Sequence, residues 1–325
     1  MLESIKNIRF YLPNNKLSNA ILASRYGSTE EEILRKSGIE NRYQADENEL
    51  ASDMAVAVAE KFFTEFPDKK NEVDFFIFCS ECFDYIAPAT SCMLQNRIGL
   101  SQQIGCIDLP YGCSGYIYGL LLAKSLLKSG MAKNILFITA DTPSKTIPKD
   151  SLELQNIFSD AATLTFINQK NAEKMGEFVL GTDGSGKDNL MAINSAFRKS
   201  KNKESIPLFN PEMKMDGIEI FNFGLRVVPN LVEATLAKNN LTKNDIDFYI
   251  LHQPTKFLLQ TLRKKMDIPE EKWIINIQDY GNTVSSSIPL VLSDLIRQNK
   301  LKKDMNLLLV GFGIGYSWGA TLVKT

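Results

Sequence analysis

Short runs of consecutive apolar residues alternate with longer segments of helical spacing along this chain. Two of the runs, at residues 74–79 and 247–252, each follow an amphipathic segment, at residues 53–66 and 225–239. The runs show no polar alternation, as expected for strands that are covered on both faces. Strands that alternate with helices in this way predict an α/β protein with a mainly parallel sheet.

The pattern of the first half returns in the second half at a nearly constant distance along the chain. The matching segments begin at Asp74 and Asp247, Cys106 and Ile277, Asn134 and Asn306, and Ala162 and Ala320. The first three offsets agree to within two residues, which strand–helix alternation alone would not produce. A long-period repeat of this kind indicates a duplicated supersecondary unit. The sequence therefore predicts two similar α/β halves, residues 1–172 and 173–325.

The composition is that of an ordinary globular protein. The 325 residues are 44% hydrophobic and 23% charged, with a formal net charge of −1. Without a basic excess, neither nucleic acid nor an anionic membrane is an expected partner. The N-terminus lacks a signal peptide's basic start and apolar run, and no stretch approaches the about 18 apolar residues of a membrane span. The five cysteines do not predict a disulfide framework, so we expect a cytoplasmic protein with reduced thiols.

A cysteine flanked by small residues begins the most apolar predicted helix. Cys113 lies in the sequence Gly112-Cys113-Ser114-Gly115, and the helix that follows runs to about Ser129, before Gly130. Unpaired N–H groups and the helix dipole favour a thiolate at such a position, which is typical of a nucleophile. The alternative is that Cys113 is a small buried hydrophobic residue, as most free cysteines are.

Two further polar residues stand where the repeat places them near Cys113. His252 is the only histidine and ends an apolar strand, and Asn282 opens the second-half counterpart of the Cys113 turn. Parallel α/β sheets collect active groups at the carboxyl ends of strands and the amino ends of helices, so both should face the same crevice. A buried structural histidine and a helix-capping asparagine are the alternatives. As an amide donor, Asn282 could hold a carbonyl oxygen.

The chain ends with a glycine-rich stretch at residues 311–319. Glycines at this density let the backbone approach a ligand closely. A dinucleotide loop is disfavoured because residues 318–323 predict a strand, whereas such a loop opens a helix. Cys79 and Cys82 have the spacing of a metal or redox pair, but the sequence holds no second pair. We therefore expect no metal site.

Together these motifs resemble the 3-oxoacyl-(acyl carrier protein) synthase III family, which has the thiolase-like fold. The motifs that carry the resemblance are Gly112-Cys113-Ser114-Gly115, His252-Gln253, Gly281-Asn282-Thr283 and the glycines from Gly313 to Gly319. The resemblance covers nearly the whole chain and implies a layered α-β-α-β-α arrangement of two similar halves. Elongating ketosynthases need a second catalytic histidine, and thiolases need a second cysteine near the C-terminus; this sequence has neither.

The resemblance implies a condensing enzyme. Cys113 would take an acyl group from a thioester, and His252 and Asn282 would bind the thioester oxygen of malonyl carrier protein as carbon dioxide leaves. The backbone N–H groups of Cys113 and Gly315 would hold the oxyanion. No metal or redox cofactor is implied. The implied partners are acyl carrier protein, an acyl thioester and a second copy of the chain in a homodimer.

The expected acyl pocket is bordered by Ala87, Phe158 and Phe221. Typical family members have a phenylalanine at the position of Ala87, so its replacement should open the acyl channel. They also have a tryptophan at the position of Glu32 and an arginine at that of Leu152, which sandwich the adenine of coenzyme A. A carboxylate and a leucine cannot hold adenine in that way. We therefore expect a longer or unusual primer, delivered on a carrier protein.

Basic residues follow the His252 strand on a predicted helix. Lys256, Arg263 and Lys264 are the expected docking residues for an acidic carrier protein. An ordinary solvated helix face is the alternative. The irregular segment 181–215, with its basic run at residues 198–203, is expected to form a surface excursion over the site.

Two other functions remain open at the level of sequence. One is a related acyltransferase that passes the acyl group to an alcohol or an amine, or joins two β-keto fragments, without decarboxylation. The other is a degenerate homologue that acts as a partner subunit. Intact Cys113, His252 and Asn282 disfavour the second of these.

Overall fold

The computed structural model describes residues 7–196 and 210–325. The strands are β1 Ile8–Tyr11, β2 Asn15–Ser18, β3 Asn41–Gln44, β4 Phe75–Cys79, β5 Gly105–Leu109, β6 Asn134–Asp141, β7 Ala161–Asn168, β8 Val179–Thr182, β9 Leu190–Ile193, β10 Glu212–Met215, β11 Phe248–Leu251, β12 Asn306–Gly313 and β13 Ser317–Lys324. The helices are α1 Asn19–Tyr26, α2 Glu30–Ser37, α3 Ala51–Glu65, α4 Lys69–Glu72, α5 Thr90–Ile98, α6 Gly115–Lys128, α7 Leu152–Ile157, α8 Gln169–Glu173, α9 Gly217–Lys238, α10 Lys256–Lys265, α11 Ile277–Tyr280 and α12 Ser287–Arg297.

Two sheets form the frame of the molecule. The first has the strand order β1-β7-β6-β4-β5 and the second has the order β8-β13-β12-β11. In the first sheet β4 runs parallel to β6, with Phe75 opposite Ile135, and in the second sheet the edge strand β11 runs parallel to β12, with Phe248 opposite Leu307. The next strands, β7 and β13, are antiparallel to their neighbours, and so are the outer strands β1 and β8. This correspondence confirms the predicted duplication.

The prediction of a mainly parallel sheet was wrong, because both sheets are mixed. The chain returns from β12 to β13 through only three residues, 314–316, and so short a connection can join only antiparallel strands. The counterpart of β5 in the second sheet is reduced to a single bridge between Tyr249 and Trp273. The segment that repeats Cys106–Asp108 in the sequence forms helix α11 instead. Its Tyr280 packs with Ala161 and Leu290.

Five layers follow from the way the apolar faces pack. Helices α6 and α12 lie between the two sheets, and their residues share one core with strands of both. Helices α3 and α5 cover the outer face of the first sheet, and α9 and α10 cover that of the second. The central position of α6 explains why its sequence is apolar on nearly every side. The predicted α-β-α-β-α arrangement is therefore confirmed.

The predicted helices agree closely with the structure. The amphipathic segment 53–66 is α3, and 225–239 is the greater part of α9, which begins earlier and contains Pro229. The Cys113 helix is α6, and Gly130 follows it with a left-handed φ of 76°. The predicted boundary at residues 172 and 173 falls in α8. The basic run at residues 198–203 lies outside the described residues.

Within the described ranges, none of the helices is both long and apolar enough to cross a bilayer.

Candidate active site

Cys113 lies in the turn between β5 and α6, pressed against the end of β12. Its side chain is 5% exposed. A Cβ atom placed on Gly313 would lie 2.6 Å from the Cβ and 2.8 Å from the Sγ of Cys113. Only a glycine at position 313 therefore lets the strand approach the sulfur so closely. The glycine-rich stretch is thus a wall of the site, as the sequence predicted.

The environment of Cys113 favours the neutral thiol before substrate binds. Burial raises the pKa of the thiol far above its ordinary value, and the negative charges of Glu81 and Asp141 raise it further. The backbone N–H groups of Ile314 and Cys113 oppose this effect without outweighing it. The thiolate expected from the helix terminus alone is therefore not the resting form. The thiol must lose its proton as it attacks a substrate.

His252 follows β11 and is anchored by both its backbone and its ring. Its N–H donates to the carbonyl of Val310 on β12 (2.8 Å), and its Nδ1 lies 2.7 Å from the Oγ of Ser287. The ring is 1% exposed, and burial lowers its pKa to about 3, so the imidazole is neutral at physiological pH. The Ser287 hydroxyl also lies 3.1 Å from the carbonyl of Val284, and the direction of its hydrogen bond with Nδ1 depends on the tautomer of the ring. In the tautomer in which the hydroxyl donates to Nδ1, the ring proton is on Nε2, where it can be donated to a substrate.

Asn282 is held by the backbone of the neighbouring α7 turn. Its N–H donates to the carbonyl of Ile157, and its carbonyl accepts from the N–H of Ser159, both at 2.9 Å. The side-chain Oδ1 accepts from the N–H of Val284 at 3.0 Å. Because the amide oxygen is engaged in this turn, the NH₂ group is the end that is left to donate to a ligand.

Two adjoining cavities meet at Cys113. The smaller, about 120 Å³, is lined by Cys113, His252 and Asn282 together, so the structure brings the three predicted catalytic side chains to one space. The larger, about 370 Å³, extends from the other side of Cys113. Phe158 and Leu190 line both cavities. Cys113 thus lies where the two cavities adjoin.

The predicted acyl-pocket residues are distributed differently from the prediction. Phe158 borders both cavities, but Phe221 borders only the smaller one, where its ring stacks on exposed Phe257 with the centroids 5.4 Å apart. Ala87 lines neither cavity. It lies on the exposed loop after β4, and that loop contributes Glu81 and Cys82 to the larger cavity instead. In the single chain Ala87 thus lies outside both cavities, and its place at the acyl pocket stays a prediction.

The predicted oxyanion-hole residues also need one change. The backbone N–H that faces the Cys113 sulfur, besides that of Cys113, belongs to Ile314. Gly315 lines the larger cavity with a left-handed φ of 130°, and a Cβ atom placed on it would lie 2.9 Å from the N atom of Ser317. The structure therefore favours Ile314 over Gly315 as the second N–H donor.

Four residues of the site escaped the sequence analysis: Glu81, Asp141, Ser287 and Ile314. Glu81 lies just beyond the end of β4, and Asp141 is the last residue of β6. The positional rule that selected His252, a polar residue at the carboxyl end of an apolar strand, applies to both and could have found them. Ser287 and Ile314 carry no such signal, since only the fold shows what they contact.

The predicted docking residues lie on α10. Lys256 and Arg263 border one surface depression, with Gln260 between them. Arg263 is half-buried and is 3.5 Å from Glu270, whereas Lys264 is exposed on the adjacent face. Lys256 packs against Gly38, where a Cβ atom would come within 2.4 Å of its own Cβ. On α10, therefore, the side chain of Lys264 is exposed to solvent, whereas Arg263 is restrained by Glu270 and Lys256 by its contact with Gly38.

The remaining cysteines are all free, but they are not uniformly buried. Cys79 is buried, Cys82 and Cys106 are half-buried, and Cys92 is exposed. In the part of the chain that the structure describes, no group of three or more histidine, cysteine, aspartate or glutamate residues is placed to hold a metal ion.

Comparison with known proteins adds independent findings. The family model described as 3-Oxoacyl-[acyl-carrier-protein (ACP)] synthase III matches residues 107–184, and its C-terminal model matches residues 236–325. The Beta-ketoacyl-[acyl-carrier-protein] synthase III of Campylobacter jejuni is 33% identical over 322 residues, which cover 99% of this chain and 97% of that protein.

Solved structures are similar over almost the whole chain. A 2.1 Å crystal structure of a 3-oxoacyl-(acyl-carrier-protein) synthase III has a TM-score of 0.92 and 39% identity, covering 98% of each chain. The 3-oxoacyl-(acyl-carrier protein) synthase of Burkholderia xenovorans has a TM-score of 0.90 and 30% identity, covering 98% of this chain and 93% of that one.

Proposed function

Since the chain belongs to the 3-oxoacyl-[acyl-carrier-protein] synthase III family, we propose that it condenses an acyl group with malonyl carrier protein in the first step of fatty-acid synthesis or a related pathway. Cys113 carries the acyl group, and the product is a 3-oxoacyl thioester. The observation that carries this proposal is the convergence of Cys113, His252 and Asn282 on one cavity.

In the first step the acyl group moves to Cys113. The thiol gives up its proton and attacks the carbonyl carbon of an acyl thioester, and the departing thiolate takes up a proton. The N–H groups of Cys113 and Ile314 are placed to stabilise the negative charge on the carbonyl oxygen. The acyl chain then extends into the larger cavity, which is mostly apolar.

In the second step malonyl carrier protein reaches the smaller cavity. His252 and Asn282 donate hydrogen bonds to its thioester oxygen, which stabilises the enolate as carbon dioxide leaves. The enolate carbon attacks the acyl-Cys113 carbonyl, and Cys113 departs as a thiolate that is protonated again. A neutral imidazole suits this role, because it can donate a hydrogen bond without first binding a proton.

The reaction as proposed needs no metal ion and no redox cofactor. We propose that an acidic acyl carrier protein docks on α10 through Lys264, with Lys256 and Arg263 beside it. We also propose a homodimer, supported by the exposed apolar residues Tyr85 and Ile86 on the loop after β4. The five free cysteines support a reducing compartment, for which we propose the cytoplasm.

The test is to combine the protein with an acyl thioester and carboxyl-labelled malonyl carrier protein. We expect release of labelled carbon dioxide, formation of a 3-oxoacyl carrier protein and, when malonyl thioester is omitted, an acyl adduct on Cys113 by mass spectrometry. The Cys113→Ala variant should form no adduct, and its condensation rate should be at least about 10³-fold lower than that of the wild type. An adduct that passes to an alcohol or amine without carbon dioxide release would contradict the proposal.

A further inference from the structure

One carboxylate beside Cys113 has no part in the reaction proposed above. Glu81 follows β4, and its backbone N–H donates to Oδ1 of Asp141 at 2.8 Å, which fixes the course of the chain there. Its carboxylate lies over Gly112, where a Cβ atom would come within 2.4 Å of Oε2. The charge of Glu81 contributes to the raised pKa of the adjacent Cys113 thiol. The carboxylate therefore lies close to the point at which an acyl chain is attached.

No cation neutralises this carboxylate in the described parts of the chain. Glu81 takes part in none of the ion pairs in the described part of the chain, residues 7–196 and 210–325. Lys187 lines the same cavity, but its ammonium group is 2.5 Å from Asp188. The backbone N–H of Gly112 donates to this carboxyl group, but burial and the charge of Asp141 raise the pKa of Glu81 to about 8. The group is therefore largely protonated at neutral pH, and its carbonyl oxygen is an acceptor in either protonation state. Glu81 thus retains acceptor capacity that faces the larger cavity.

The neighbouring Asp141 differs in this respect. Its carboxylate is 1% exposed and accepts hydrogen bonds from the N–H of Glu81 and from both the N–H and the hydroxyl of Ser285. Asp141 therefore joins the end of β6 to the chain before α12 and has a structural role. Glu81, by contrast, is accessible from the cavity.

The rest of the wall is poorly suited to solvate a carboxylate. Half of the sixteen residues that border the larger cavity are apolar: Pro143, Phe158, Leu190, Met191, Ala192, Met213, Val284 and Ile314. A plain alkyl chain that filled this space would displace water from Glu81 and leave its acceptor oxygens unpaired. Leaving a polar group unpaired in this way is costly.

We infer that the primer carries a hydrogen-bond donor, a hydroxyl or an ammonium group, on its second or third carbon, and that Glu81 binds this donor. The inference rests on the proposed function, since it concerns the acyl group held on Cys113. A site built to bind a donor discriminates strongly against an analogue that lacks it, because the acceptor is then left unpaired. Glu81 would thus select the primer by the substituent near its carbonyl rather than by chain length.

The test compares primers of equal length. The whole protein is mixed with acyl carrier protein that carries a butanoyl, 2-hydroxybutanoyl, 3-hydroxybutanoyl or 3-aminobutanoyl group as a thioester, and adduct formation on Cys113 is timed by mass spectrometry. At least one substituted primer should react with Cys113 tenfold or more faster than the butanoyl primer, as an order of magnitude of about 1.4 kcal/mol. Preference for a hydroxy primer or for the amino primer identifies the donor as a hydroxyl or as an ammonium group.

Variants of Glu81 show whether this side chain is responsible. Glu81→Ala should abolish the preference, and Glu81→Gln should retain part of a preference for hydroxyl, because its amide oxygen still accepts. Glu60→Gln, on the exposed face of α3, should keep the full preference. Thermal unfolding of each variant shows whether it is folded, and Glu81→Gln keeps the shape of the side chain if Glu81→Ala is unstable.

Equal rates for butanoyl and all substituted primers would overturn the inference, and so would a Glu81→Ala variant that slows every primer by the same factor. In both cases adducts that go on to condense with malonyl carrier protein would leave the proposed function standing. If no primer forms an adduct on Cys113, it is the proposed function that fails.

Discussion

Burial of the His252 imidazole should make the fold sensitive to acid. The ring has a pKa of about 3 in the folded protein and an ordinary value of 6.5, so between these values the unfolded chain binds more protons. Stability therefore rises with pH in this window and is lost as the pH falls from 6.5. From pH 6.5 to about 5.5, the free energy of unfolding of the wild type should fall about 1 kcal/mol more than that of His252→Gln.

Urea unfolding at the two pH values measures this difference. Carboxylates also titrate in this pH range, but they are the same in both proteins. The loss of unfolding free energy in the wild type minus the loss in His252→Gln therefore gives the contribution of the histidine alone. Equal losses in both proteins would show that the imidazole is exposed to solvent or already protonated in the folded state.

Ser287 is a positioning residue for His252, since its hydroxyl lies 2.7 Å from Nδ1. Ser287→Ala should slow condensation about tenfold, because the ring loses the hydroxyl that fixes its orientation. The rate of Cys113 acylation, a step in which we give His252 no role, should stay unchanged. Rapid-quench measurement of the two steps separates these effects, with Ser125→Ala on the surface of α6 as the control. Equal slowing of both steps would point to a general loss of structure.

At the scale of elements, the contact between β12 and the start of α6 determines where the sulfur lies. Gly313→Ala would place a methyl group 2.6 Å from the Cβ of Cys113, so strand and helix must separate. A displacement of this kind should reduce the acylation rate about 10²-fold. Stopped-flow or mass-spectrometric acylation rates measure it.

Gly184→Ala is the matched control for this substitution. A Cβ atom at Gly184 meets no atom within 4 Å. That variant should acylate at the wild-type rate. Normal acylation by Gly313→Ala would mean that the end of β12 is further from the sulfur than the structure places it.

Elements with a strong local pattern were predictable, and those defined by their neighbours were not. The apolar stretch of α6 and the amphipathic pattern of α3 are local properties, and both helices were found. Strand direction is not a local property, so two antiparallel pairings were missed, that of β7 with β6 and that of β13 with β12. The short helix α11 was missed for the same reason, because Tyr280 is held by residues far along the chain.

At the scale of the whole molecule, the basic surface of α10 should guide a carrier protein to the site. Lys264→Glu should raise the KM for malonyl carrier protein about threefold to tenfold, because an acidic partner would meet a like charge. The rate with a small malonyl thioester that lacks the protein should not change. Steady-state kinetics with both substrates measure the two effects.

Lys302→Glu is the control for this charge reversal. Lys302 is exposed and precedes Asn306, the first residue of β12, whereas Gly313 is the last residue of that strand. Its reversal should leave both KM values unchanged. A similar rise in KM for the two variants would indicate that net charge, and not a docking surface on α10, is what the carrier protein senses.

The convergence of Cys113, His252 and Asn282 was predictable because the repeat relates the strands and turns that carry them. A duplicated fold places equivalent strand ends at one crevice, whatever the side chains between them. The details of the walls were not predictable, since they depend on contacts between distant segments. The backbone N–H of Ile314 faces the sulfur, while Ala87 lies outside both cavities, and no spacing along the chain distinguishes these outcomes.

Because the sulfur of Cys113 lies where two compartments meet, inhibitors of this protein can be assembled from independent fragments. A fragment chosen for the larger compartment would compete with the primer alone, and one chosen for the smaller would compete with the malonyl arm alone. Joining them through an electrophile that bonds to the sulfur gives one molecule that occupies both compartments. Its selectivity over other condensing enzymes would come from the larger compartment, where an amine or alcohol on the fragment can reach Glu81.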